Sequence, residues 1–208
     1  MVDAAIRPVF VPLSVEEWAR YHEVEDEMRR ASVALSLARR RGDPALQGRL
    51  ERRLHILASR RKQITSLVAK KFEALVDIAL RHPGEKVLVF TESVSSAERA
   101  RRILAGAGVS AMTYHSLMSR RERDAALRLW GSSFRVLCAV RCLDEGIDVP
   151  EVGVGAIVAS GKTTRQLVQR LGRILRPAPG KERAVMYVIV AQGTYEHSVL
   201  SKLIRLAR

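Results

Sequence analysis

The run from Gln169 to Arg176, QRLGRILR, sets residue types that handle phosphate at helical spacing. An α-helix turns ~100° per residue, so Gln169, Arg173 and Arg176 fall within a narrow arc of one face. Leu167, Leu171, Ile174 and Leu175 fall on the other side. Such a helix pairs a core-facing side with a polar stripe carrying two guanidiniums. Each guanidinium is permanently charged and offers a fixed fork of donors, which suits phosphate oxygens. Taken alone, the same pattern also describes an amphipathic helix with solvated arginines. Upstream lies the run Leu143 to Pro150, LDEGIDVP, and an apolar strand from Val154 to Ser160 separates the two.

The elements that must position these residues follow from periodicity and caps. Arg7 to Leu13 reads as an extended opening segment with Pro8 and Pro12 near its ends. Ser14 and Glu17 form a capping box for a helix running toward Arg41, Gly42 ends it, and Asp43-Pro44 starts the next. Leu46, Leu50, Leu54, Leu57, Ile64 and Val68 continue as an apolar stripe, which makes a helical hairpin. From Phe72 onward helices and strands alternate. A helix ends at His82-Pro-Gly84, and a strand follows from Lys86 to Thr91. Ser95 to Glu98 opens a helix reaching Gly106 or Gly108, and a second strand spans Val109 to Tyr114. Ser119 and Glu122 cap a helix reaching Trp130; strands follow at Arg135 to Val140, Val154 to Ser160 and Ala184 to Val190. Continuous apolar strands in such alternation predict a parallel α/β sheet covered by helices on both faces. The expected domains are an interlobe segment at 1–13, a basic helical hairpin at 14–70 and an α/β lobe at 71–208.

In open α/β sheets, ligands collect beyond the carboxyl ends of the strands. The corners Thr91 to Ser93 and Tyr114 to Ser116 lie there, with the loops Arg141 to Asp148 and Ser160 to Thr164. Small hydroxyls and cations converging at four strand ends predict a phosphate-tracking edge. The residues alone leave nucleotide and nucleic-acid contacts unseparated. Gly161 to Thr164, GKTT, imitates the end of a phosphate-binding P-loop, but the required first glycine would be position 156, which is Ala. Thr163 to Gln166 is instead a capping box for the helix that follows. No other stretch supplies a P-loop, and no paired-acid motif for magnesium is present.

A chain of 208 residues, 47% hydrophobic, can bury a substantial core. It has no apolar run near ~18 residues, so no membrane span is expected, and its start lacks the order of a signal peptide. Cytoplasmic residence is the default expectation. The net charge of +14 is unevenly placed. Residues 14–28 hold six acidic side chains and one basic, whereas residues 29–71 hold thirteen basic and two acidic. Such a concentrated excess attracts a polyanion, and Arg52, Arg53, Arg60 and Arg61 are the candidate phosphate contacts within it. A solvated, arginine-rich helix surface is the plainer alternative. Cys138 and Cys142 are too few for a disulfide framework or a four-ligand zinc site, and no metal site is expected from the chain itself.

LDEGIDVP and QRLGRILRP together resemble motifs V and VI of superfamily-two helicases, in their C-terminal RecA-like lobe. From about Arg7 to about Arg205 the chain is most similar to archaeal and related microbial XPB-type DNA helicases, whose helical thumb the hairpin resembles. The resemblance implies that Arg173 and Arg176 act as arginine fingers on the γ-phosphate and that Gln169 links that site to the lobe interface. It implies that Gly146 approaches the nucleotide, which a residue without Cβ allows. Asp148 is either a ligand of the ribose hydroxyls or a turn residue before Val149-Pro150. Thr91, Ser93, His115 and Arg141 would lie along the DNA-tracking edge. ATP and Mg²⁺ would be held mainly by a separate Walker A lobe, which this stretch of sequence lacks. The implied partners are DNA, that first lobe, and a repair nuclease or transcription factor.

The leading expectation is therefore the second motor lobe of an ATP-dependent DNA helicase or translocase, inactive alone. One alternative is a non-catalytic nucleic-acid-binding or adaptor module; another is a motor lobe of a restriction or defence translocase.

Overall fold

The computed structural model describes residues 3–140, 152–158 and 183–206. Two compact units divide the chain: residues 1–12 with 69–208, and residues 13–68. Among the described residues the first unit has six strands: β1 (Asp3–Val11), β2 (Val87–Thr91), β3 (Ala111–Tyr114), β4 (Val136–Val140), β5 (Val154–Ile157) and β6 (Arg183–Ala191). They form one sheet in the order β1-β6-β5-β2-β4-β3, and every pairing is parallel. Around it run α3 (Ala69–Arg81), α4 (Val94–Gly106), α5 (Arg120–Leu129) and α6 (Glu196–Leu206). This is the RecA-like α/β arrangement.

All five residues of β2 are buried. Successive side chains of a strand point to opposite faces, so burial without alternation requires a cover on both. On one face Leu88, Phe90, Leu137, Ala139, Met186 and Val188 join Ala126 of α5 and Leu200 of α6 in a single core. Cys138, of opposite parity, shares the other face with Thr113, whose hydroxyl donates to Glu98 of α4 at 2.8 Å. The helix α3 buries Phe72, Leu75, Ile78 and Ala79.

The opening segment forms a strand of this sheet. β1 pairs in register with the whole of β6, from Asp3 opposite Arg183 to Val11 opposite Ala191. It is an edge strand, which is why Pro8 and the exposed Arg7 and Phe10 are tolerated within it. Arg7-Pro8 interrupts its apolar run, so the sequence alone reads only an extended segment.

The second unit is the hairpin of α1 (Val15–Arg41) and α2 (Pro44–Ser66). The capping box of Ser14 and Glu17 closes both ways, and Asp43 caps α2 by accepting from the Leu46 amide at 2.9 Å. Between them Gly42 takes φ 66°, a left-handed turn that a residue with Cβ adopts only at a cost. Val24, Ala31 and Leu57 form its small core, flanked by Met28, Leu54 and Ile64.

The charge imbalance is resolved across this hairpin. Glu27 accepts from Arg53 at 3.2 Å and faces Arg60 at 3.8 Å, Glu23 faces Arg60 at 3.7 Å, and Glu25 takes Arg61 at 2.7 Å. Near the turn, Arg39 pairs with Glu51 at 3.0 Å. The acidic stretch of α1 is thus folded against the basic stretch of α2. Residues 13–68 carry twelve basic and eight acidic side chains, a much smaller excess than the basic stretch alone.

Candidate nucleotide and nucleic-acid interface

At the carboxyl edge of the sheet the strands β2 and β3 end on Thr91 and Tyr114, and α4 and α5 start close behind them. Thr91 is buried, and its hydroxyl donates to the Ala139 carbonyl at 3.2 Å. That bond ties β2 to β4 at the carboxyl edge. Ser93, not Ser95, is the N-cap of α4; it accepts from the Ser96 amide at 3.2 Å while Ser96 closes the box in return. Ser93 therefore sits at a helix N-terminus at a strand end, a position suited to an anion.

His115 is half-buried at the end of β3, and its Nδ1 is buried without a hydrogen-bond partner among the described residues. Glu98 and Glu122 lie near enough to interact with it electrostatically. Burial works against the charge of Glu98. The Thr113 hydroxyl, Arg101 and His115 outweigh it, so the Glu98 carboxyl lies below its ordinary range. Glu122 also lies low, because the Ser119 hydroxyl and amide of the α5 capping box hold it as a carboxylate. No group of three or more metal-ligating side chains occurs among the described residues.

Beneath this edge, Cys138 is fully buried in β4, and burial, reinforced by Glu98, pushes its thiol up to about 12. A thiol reacts as its thiolate, so Cys138 should resist a maleimide at pH 8 in the folded chain and react fully in denaturant. Peptide mass spectrometry after a short pulse of label reads this directly. Rapid labelling of Cys138 under native conditions would contradict its burial.

Gln169, Arg173 and Arg176, with Gly146, Asp148 and Arg141, lie outside the described residues, as does the GKTT run. The strands that flank them are described. Val158, just beyond β5, donates its amide to Phe90 at 3.0 Å, and β6 begins at Arg183 beside β5. In the hairpin unit, Arg53, Arg60 and Arg61 are paired with α1 carboxylates, so a phosphate would have to compete for them. Arg52 is exposed and forms no ion pair among the described residues.

Sequence reading missed one feature of this edge. Lys71, counted with the basic stretch, is wholly buried and bonds both carboxylate oxygens of Glu196, at 2.8 and 2.7 Å. A local signal was available: Lys71 lies on the same side of α3 as Leu75, Ile78 and Ala79, which is the core side.

Residues 70–178 match the family model of the helicase conserved C-terminal domain, which is more than half of the chain. The chain belongs to this family. Its sheet and flanking helices have the RecA-like fold of superfamily-two helicase C-terminal lobes. Among curated relatives, it is 32% identical over 127 residues to the DNA 3'-5' translocase XPB2 of Sulfurisphaera tokodaii, covering 61% of this chain and 28% of that protein. It is 37% identical over 110 residues to UvrABC system protein B of Cytophaga hutchinsonii, covering 50% of this chain and 16% of that one. The chain thus spans less than a third of the length of either. Among solved structures, the C-terminal domain of the DEAD-box protein Dbp5 superposes with TM-score 0.59 at 20% identity, over 66% of this chain and 78% of that one. The Hef helicase domain of Pyrococcus furiosus gives 0.51 at 21%, over 86% of this chain and 38% of that one. At such identities the structural matches speak for the fold. No helix among the described residues is long and apolar enough to cross a membrane.

Proposed function

We propose that the chain works as the second motor lobe of an ATP-dependent, XPB-like DNA translocase or helicase, opening DNA in repair or transcription. The observation that carries this reading is motif VI, QRLGRILRP, lying in sequence between β5 and β6 of a RecA-like parallel sheet. Arg173 and Arg176 neutralise charge developing on the transferred phosphoryl group, Gln169 couples that site to the facing lobe, and Gly146 and Asp148 border the nucleotide. ATP and Mg²⁺ are held chiefly by a Walker A lobe, the principal partner besides DNA. A repair nuclease or transcription factor is a further partner of the assembly.

DNA phosphates run along the strand ends past Ser93, His115 and Arg141, and the hairpin turn offers a separate set of phosphate contacts. Arg40, Arg41, Arg49 and Arg52 are exposed there and form no ion pair among the described residues. They, more than Arg53, Arg60 and Arg61, are the free charge of the hairpin.

Phosphoryl transfer needs a phosphate cradle, a metal site and a positioned water, of which this lobe supplies the arginine half. The isolated chain is therefore expected to show no steady ATP turnover. Joined to an XPB-type first lobe, it should become an ATPase stimulated by DNA. Turnover by the pure chain, or none in the joined protein despite DNA binding, would sink this reading; the second result would favour an adaptor.

A further inference from the structure

The Lys71 ammonium donates to three acceptors at once: the Val158 carbonyl at 2.9 Å and both oxygens of Glu196. Its three protons are thereby satisfied. Glu196, 3% exposed, also accepts the Ala191 amide at 2.9 Å. The Thr194 hydroxyl donates to the Ala191 carbonyl at 2.8 Å and takes the Glu196 amide at 3.3 Å. Val158 follows the last residue of β5, and Ala191 is the last residue of β6. One ion pair from α3 and α6 therefore clasps the carboxyl ends of two adjacent central strands.

Burying both charges is costly, and burial pushes the Lys71 ammonium below its ordinary range even though Glu196 opposes that shift. An apolar pair of similar volume would hold the body together about as well. What the ionic pair adds is direction: it fixes a carbonyl and an amide at the strand ends to hydrogen-bond precision, which packing alone leaves free to slide. The segment leaving Val158 is the one that carries motif VI.

From this geometry we infer that Lys71 and Glu196 are positioning residues for ATP turnover, fixing the carboxyl ends of β5 and β6, the first of which leads in sequence to motif VI. The inference rests on the motor-lobe reading. Misplacing a catalytic group by about 1 Å costs as much as 10²-fold, so a partial loss of registration is expected to lower kcat on the order of tenfold.

The test uses Lys71→Met and the double variant Lys71→Met/Glu196→Leu, which removes both charges and refills the site. In the full chain alone, amide exchange of Val158, Ala191 and Gln192 is expected to quicken in both variants, while Leu88 and Leu137 stay as protected as in the parent. In the protein joined to its first lobe, kcat should fall about tenfold with the KM for ATP changed less than about twofold. The double variant should regain thermal stability without regaining kcat. Recovery of kcat together with stability would show a merely structural pair and overturn the inference. Unchanged exchange at the strand ends would overturn it too. Arg173→Ala is the control: if it also leaves turnover intact, the motor-lobe reading has failed, and the exchange measurement still decides whether the clasp positions the strands.

Discussion

In the joined two-lobe protein, Arg173→Ala/Arg176→Ala is expected to lower kcat on the order of 10³-fold or more while ATP affinity changes little. The split follows from where charge develops. A guanidinium placed against the γ-phosphate contributes most when the bond to the leaving oxygen is breaking, so its loss appears in turnover before it appears in binding. Arg176→Lys sharpens the test. Lysine keeps the charge but loses the planar fork, and a loss nearly as large as with alanine would show that bidentate geometry carries the effect. Folding of each variant is checked by its thermal melt, and DNA binding by anisotropy. A double alanine variant that folds, binds DNA and turns over near the parent rate would remove motif VI from the reaction and leave the adaptor reading standing.

A comparably visible effect is expected at the hairpin turn. Arg40, Arg41, Arg49 and Arg52 are exposed and outside the ion-pair ladder between α1 and α2. Phosphate contacts release counterions, with a salt slope of about −0.9 per neutralised phosphate on duplex DNA. If these four arginines each meet one phosphate, replacing them all with alanine should flatten the slope by roughly 3 to 4. The parent should then lose about two more decades of affinity between 50 and 200 mM salt than the variant does. Replacing Arg53, Arg60 and Arg61 is expected to act differently. Those side chains pair with Glu23, Glu25 and Glu27, so their loss should lower the melting point of the hairpin unit more than it changes the salt slope. An unchanged slope in the turn variant, with affinity lost only when Ser93 or His115 is altered, would move DNA off the hairpin and onto the strand ends.

The two sets of arginines show what the charge pattern could and could not say. Thirteen basic side chains between residues 29 and 71 read as one polyanion site along the sequence. Folded, they divide three ways: Lys71 is taken into the core, Arg29, Arg39, Arg53, Arg60, Arg61 and Lys70 are paired with carboxylates, and of the remaining six, Arg40, Arg41, Arg49 and Arg52 flank the turn. Net charge along a chain reports how many charges there are; only the packing of α1 on α2 reports which are already neutralised.

Local determinants were legible from the residues themselves. Capping boxes at Ser14 and Ser119, the Asp43-Pro44 start of α2, the glycine turn at Gly42 and the continuous apolar strands all act within a few residues, and each stands where the sequence placed it. The α4 cap shows the limit of such reading: Ser93 and Ser95 are both competent, and the end of β2 selects the first. Motif VI was read in the same local way, from phosphate-suited residues at the spacing expected of one helical face. The order of the strands, the place of β1 beside β6, the bond from Thr91 to Ala139 and the clasp of Lys71 on Glu196 were not legible. Lys71 and Glu196 are 125 residues apart, and nothing near either one names the other. Local sequence fixes what each segment prefers by itself, whereas burial and pairing belong to contacts between distant segments and exist only once the sheet has assembled.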